Sequence, residues 1–259
     1  MKTHIVSLAS GSKANCILID YNKTTILIDD GLSSVKELNH RLSECGLFCD
    51  ISGVLITHEH SDHVKGLPSL ALHTDIPVYM HSETYCAVAG KLGDINYCPV
   101  QHYEAGFVIG DIGVQPFRVS HDAAFPLGYT LYCGDEVITL LTDSGYISEG
   151  MSRRLLSSNV IMIESNHDEG MLKKGPYPPM LKQRILSRNG HLSNAACADA
   201  LKKICERNSG LQRVALMHLS EQNNDPAIAY ALAKQALTQG GRADIDPIVT
   251  SQSHPVFIL

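Results

Sequence analysis

Short runs rich in Ile, Val, Leu and Thr open the chain at Ile5–Leu8, Asn15–Asp20 and Thr24–Asp29, with Gly and polar turn residues between them. This spacing predicts three strands. Ser34, followed three residues later by Glu37, has the form of a capping box. Val35, Leu38, Leu42 and Cys45 share one face of the helix it starts, and Gly46 stops that helix. A strand over Gly53–Thr57 runs into a polar loop at 58–63. Further strand patterns follow at Pro77–Met80, Gly113–Ser120, Leu127–Cys133 and Glu136–Leu141. Beyond residue 143 strands and helices alternate. Val160–Glu164 and Arg213–Met217 read as strands, Asn194–Arg207 as an amphipathic helix and Pro226–Leu237 as an Ala-rich helix with proline at its start. Sheets covered by helices are expected, in one α/β domain over residues 1–259.

Composition narrows the class. The 259 residues are 44% hydrophobic and 19% charged, which excludes a disordered or collagen-like chain. No apolar run reaches the roughly 18 residues of a membrane helix, and the first residues lead directly into strand-like sequence. A cytoplasmic protein with no membrane partner is expected. Eight cysteines are scattered without a C-x-x-C pair, as free and mostly buried thiols in a reducing compartment would be. A net charge of −6 argues against non-specific coating of nucleic acid but leaves room for a local basic groove. The thirteen histidines are the oddity. Those at 4, 40, 73, 81, 102, 167 and 254 lack ligand-like neighbours, and structural or surface roles are expected for them.

The strongest chemical signal is Thr57-His58-Glu59-His60-Ser61-Asp62-His63, directly after an apolar strand. Three imidazoles and two carboxylates so close together are costly unless something binds or neutralises them. Side chains alternate in an extended segment, so His58 and His60 point the same way, and a tight turn can bring Asp62 and His63 back to a neighbouring centre. Nitrogen and oxygen donors without thiolate suit Zn, Mn or Fe.

This segment resembles the H-x-H-x-D-H signature of the metallo-β-lactamase superfamily. The resemblance continues through Asp29 in Leu27-Ile28-Asp29-Asp30-Gly31, His121 in Val119-Ser120-His121, Asp143 in Leu141-Thr142-Asp143 and His218 in Leu216-Met217-His218. It implies a four-layer αββα sandwich and two divalent metal ions. His58, His60 and His121 would hold one ion and Asp62, His63 and His218 the other. Asp143 would bridge them, and Asp29 would steady the metal loop without binding metal. An aspartate at the bridging position is similar to glyoxalase II and ribonuclease Z, and unlike zinc β-lactamases, which offer a cysteine there. Ser10-Gly11-Ser12, Gly190-His191-Leu192-Ser193-Asn194 and His218-Leu219-Ser220 with Asn223-Asn224 look like the YycJ/WalJ family. That likeness implies a cytosolic DNA exonuclease acting on 5′ ends. The early loop departs from the usual S-G-S-x-G-N by carrying Ala14 where glycine is common.

Two divalent ions about 3.5–4 Å apart lower the pKa of a bridging water towards roughly 7. Hydrolysis by a bridging hydroxide is therefore expected, with Asp62, Glu164 and His191 as the catalytic residues. Glu164 and His191 resemble the pair that ribonuclease-Z enzymes place beside the leaving oxygen. A carboxylate bonded to an imidazole keeps it protonated and ready to act as an acid. Between Gly170 and Ala198 the chain carries Lys173, Lys174, Lys182, Arg184 and Arg188 and no acidic residue. Lys182, Arg184 and Arg188 are candidates to bind a phosphate backbone, DNA being favoured over RNA, and Ser220 and Asn223 are candidates to donate hydrogen bonds to phosphate or to brace a metal ligand. The stretch between Asp143 and His218 is too short for the inserted domain of β-CASP nucleases and has no long Gly/Pro-rich arm of the ribonuclease-Z kind. A small-molecule ester, thioester or lactone hydrolase is the alternative on the same scaffold. A non-catalytic metal-binding regulatory partner is the second.

Overall fold

The computed structural model describes residues 2–100 and 103–259, so His102 lies outside the described residues. The chain divides into two compact units, one of Met1–Arg118, Ala123–Cys133 and Ser251–Leu259, the other of Val119–Asp122 and Gly134–Thr250.

In the first unit, β1 (Thr3–Ala9), β2 (Cys16–Tyr21) and β3 (Thr24–Ile28) form an antiparallel meander. β4 (Ile51–Leu55), β5 (Val78–Met80) and β6 (Tyr97–Pro99) extend it in parallel from β3. Parallel neighbours need crossovers. These are supplied by α1 (Val35–Glu44), by α2 (Ser61–Val64) with α3 (Leu67–His73), and by α4 (Ser82–Leu92). β7 (Phe107–Ile109), β8 (Ile112–Arg118) and β9 (Leu127–Cys133) make a second antiparallel run. Leu38, Leu42, Leu67, Leu70, Val88 and Leu92 of the helices close over Val6, Leu18, Leu27 and Val54 of the sheet. The Ser34 hydroxyl accepts from Glu37 N at 3.3 Å, while the Glu37 carboxylate reaches the Ser33 amide and hydroxyl. Half of the expected capping box is therefore present, and its other half has moved one residue back.

In the second unit, β10 (Glu136–Leu141), β11 (Val160–Glu164), β12 (Arg213–Met217) and β13 (Ile248–Val249) run parallel. α5 (Glu149–Leu156), α6 (Glu169–Lys174), α7 (Pro179–Ile185), α8 (Asn194–Cys205) and α9 (Pro226–Gln239) fill the crossovers. β11 is buried along its whole length, as a central parallel strand should be. The chain ends with β14 (Val256–Phe257), which returns to pair antiparallel with β1 in the first unit.

The strand patterns therefore hold. α2 stands where a polar loop was expected, and helices α3 to α7 with the short strands β6, β7, β13 and β14 were not recognised, most of them being too short for a period to appear. Among the described residues all eight cysteines are free, and no helix is long and apolar enough to cross a membrane.

Three segments are laced together at one end of the first sheet. Asn15 N donates to Asp62 O at 2.8 Å, Gly31 N to Asn15 O at 2.9 Å, Asp30 N to His63 O and Gly66 N to Asp30 O, each at 2.8 Å. A Cβ on residue 31 would lie 1.8 Å from Asp62 O and 2.7 Å from Asn15 N, both backbone atoms. Neither can step aside, so only glycine fits. Gly31→Ala is expected to cost about 3 kcal/mol, the upper end of ordinary overpacking, and calorimetric unfolding checks it. An unchanged melting temperature would show that the three segments can part to admit a methyl group.

Candidate metal centre

In each unit the candidate ligands stand at strand ends. In the first unit, Asp29 follows β3 in the left-handed region at φ 62°, a conformation that costs a non-glycine residue energy. Its carboxylate accepts from Thr57 N at 2.8 Å, from the Thr57 hydroxyl at 2.9 Å and from His63 Nδ1 at 2.7 Å. Burial pushes the Asp29 carboxyl up, against the pull of His63 and the Thr57 bonds. With Nδ1 spent on Asp29, His63 turns Nε2 towards Asp62 Oδ2, 3.3 Å away. Thr57 Oγ, having given its hydrogen to Asp29, is free to accept from His58 Nδ1 at 3.0 Å. That leaves His58 Nε2 facing His60 Nδ1, also at 3.0 Å.

These separations allow a test of fit. Two donors about 2.0–2.1 Å from one ion stand roughly 2.9–3.4 Å apart at right-angled to tetrahedral geometry. Both pairs in this unit lie in that range. Two converging imidazole nitrogens repel each other unless a proton or a Lewis acid lies between them, so this donor chemistry fits divalent metal.

In the second unit, Asp143 after β10 and His218 after β12 take left-handed φ values of 55° and 56°. Glu164, fully buried at the end of β11, receives four hydrogen bonds. Ser144 N and Leu192 N donate to Oε2 at 3.0 Å, and His191 Nδ1 and His218 Nδ1 meet Oε1 at 2.7 and 3.0 Å. Burial opposes its ionisation, but the charge of His191 and the two imidazole bonds outweigh that and hold the carboxyl well below the usual range. Asp143 Oδ1 lies 3.5 Å from His218 Nδ1, 3.6 Å from His191 Nδ1 and 3.9 Å from His121 Nε2. His121 Nδ1 meets the Gly190 carbonyl at 3.2 Å, which directs Nε2 towards Asp143. Burial pushes the His121 imidazole down, towards its neutral, ligating form. One ligand atom from each of Asp143, Glu164, His191 and His218 lies within 4.8 Å of the others.

The basic stretch is engaged locally. Arg184 forms a two-pronged ion pair with Asp122, Nη2 to Oδ1 being 3.0 Å. Arg188 stacks on Tyr146 at 4.0 Å from the ring centroid, and Lys182 Nζ donates to Lys173 O. All three remain on the surface. Ser220 and Asn223 are buried beside His218, the Ser220 hydroxyl accepting from Asn223 N at 3.2 Å. His167, expected to be structural or on the surface, is buried. Sequence reasoning missed Asn166, whose amide donates to His218 O at 2.9 Å, and the side chain of Asn15, which meets both Asp62 and His63. Neither has a spacing signal, because each reaches its partner across many residues of chain.

Residues 24–219 match the model of the β-lactamase superfamily domain. The chain belongs to that superfamily, and its fold is the metallo-β-lactamase fold, two mixed β-sheets flanked by helices. It is a metal-dependent hydrolase. Its sequence is 38% identical over 244 residues to exodeoxyribonuclease YycJ of Bacillus anthracis, covering 93% of this chain and 91% of that one. It is 36% identical over 237 residues to exodeoxyribonuclease WalJ of Streptococcus pneumoniae, covering 90% and 87%. The fold is shared with the metallo-β-lactamase fold protein YhfI from Bacillus subtilis, at TM-score 0.74 and 13% identity over 99% of this chain and all of that one.

If His58 and His60 hold one ion, His58→Ala should lower bound divalent metal from two ions per chain towards one, with cooperative unfolding retained. Asp143→Ala should lose more. Metal analysis of the purified variants reads both, and full metal content in a His58→Ala/His60→Ala double variant would remove these residues from the ligand set.

Proposed function

We propose that the chain is a cytoplasmic phosphodiesterase that removes nucleotides from DNA, probing 5′ ends, and that both units serve as one hydrolase domain. His58, His60 and His121 are assigned to one divalent ion, Asp62, His63 and His218 to the other, and Asp143 to both. Zn, Mn and Fe all suit these donors. Such ions supply Lewis acidity and an activated water when bound. The relatives named exodeoxyribonuclease support DNA as substrate, and the free thiols suit a reducing compartment.

The observation that carries the reading is the buried Glu164 carboxylate with one oxygen shared by His191 and His218. His218 is thereby oriented. The His191 side chain is 17% exposed where Glu164 is sealed, and with Nδ1 anchored Nε2 is the nitrogen assigned to substrate. With Nδ1 on Glu164, the opposite nitrogen is assigned the proton donor's role, Nε2–H passing its proton to the oxygen leaving phosphorus. The Glu164 carboxylate is held ionised by His191 and His218 and fixed in place by two backbone amides. Lys182, half-buried, and the exposed Arg184 and Arg188 are assigned to the substrate backbone from their positions before His191.

His191→Ala should lower kcat on DNA about 10²–10⁴-fold, the usual range for a positioned acid. Cleavage of bis(p-nitrophenyl) phosphate, whose leaving group needs little protonation, should fall far less, and Glu164→Gln should copy this selectivity more weakly. Equal losses on both substrates contradict the acid role. Thioester cleavage without phosphodiester cleavage in the parent protein would establish the small-molecule alternative.

A further inference from the structure

The loop between β1 and β2 ends at Asn15, which is 6% exposed and points its side chain at the metal loop. Oδ1 accepts from Gly11 N at 3.0 Å, which settles which end of the amide is which. Nδ2 then faces Gly11 O at 3.0 Å, Asp62 Oδ2 at 3.1 Å and His63 Nε2 at 3.2 Å. A carboxamide nitrogen carries two hydrogens and here confronts three acceptors. With Nδ1 of His63 committed to Asp29, Nε2 presents its lone pair to that amide. A cation on His63 Nε2 would take the lone pair and leave Nδ2 with two hydrogens for two acceptors, Gly11 O and Asp62. The hydrogen-bond count therefore closes when an ion is present.

From this geometry we infer that Asn15 is a positioning residue of the metal centre, its amide group standing in for the cation between Asp62 and His63 Nε2 when the protein is ion-free. The inference rests on the reading that Asp62 and His63 are ligands. A donor in that place holds the two ligand atoms 3.3 Å apart. The pair need not reorganise when the ion arrives. Backbone bonds from Asn15 N to Asp62 O and from Gly31 N to Asn15 O keep the amide from withdrawing.

Calorimetric titration of the ion-free full chain with Mn²⁺ tests this. Asn15→Ala should weaken one binding step about 10–100-fold, the range for an outer-shell partner of a ligand, and leave the other step unchanged. His63→Ala should abolish the same step. If His63→Ala leaves both steps intact, the ligand assignment fails, and the role of Asn15 with it. If His63→Ala removes a step while Asn15→Ala changes neither affinity, the ligands stand and the inference about Asn15 is overturned. Imidazole ¹⁵N spectra of the wild-type chain need no variant to fold. They should show His63 protonated at Nδ1 and bare at Nε2 in the ion-free form. A hydrogen on Nε2 of neutral His63 would overturn the inference, because the amide would then have no lone pair to meet.

Discussion

The buried bond between Asp29 and His63, 2.7 Å long, is the constraint on which the candidate ligands of the first unit depend. An isolated carboxylate in that position would be strongly disfavoured, since burial alone raises its pKa. His63 and Thr57 make its charge tolerable, and in return the carboxylate decides which imidazole nitrogen is left for an ion. The same hydroxyl of Thr57 passes that order on to His58. One aspartate thus sets two tautomers. Glu164 does the corresponding work in the second unit, where it orients His218 and anchors His191.

Strain is the cost of these positions. Asp29, Asp143 and His218 all take left-handed backbone angles, at φ 62°, 55° and 56°, at or just past the ends of strands. None is a glycine, so each spends folding energy to aim its side chain. Lacing of residues 15, 30–31 and 62–66 by backbone hydrogen bonds holds the first of these turns in place. Packing of apolar strands supplies the stability from which such strain is drawn.

Much of this was legible in the sequence because the site residues follow apolar strands directly, and apolar runs are the clearest pattern a chain offers. His58 and His60 alternate in an extended segment, so their convergence follows from period two alone. Glu164 was recognisable as a carboxylate closing a wholly apolar run. What was hidden depends on through-space contact. Nothing local marks Asn166 or the side chain of Asn15 as touching histidines far along the chain. Nor does composition show that Ser220 and Asn223 turn inward, since polar residues near a ligand are equally suited to bracing it or to meeting substrate. Short helices such as α6 and α7 escaped because six or seven residues hold too few turns for a period to appear.

The central claim, a metal-dependent nuclease acting at DNA ends, is tested most directly by following end-labelled single- and double-stranded DNA with the metal-loaded protein. The account predicts stepwise release of nucleotides from the 5′ end, stopped by a chelator and restored by Mn²⁺ or Zn²⁺. DNA left intact by a fully metal-loaded protein would contradict it.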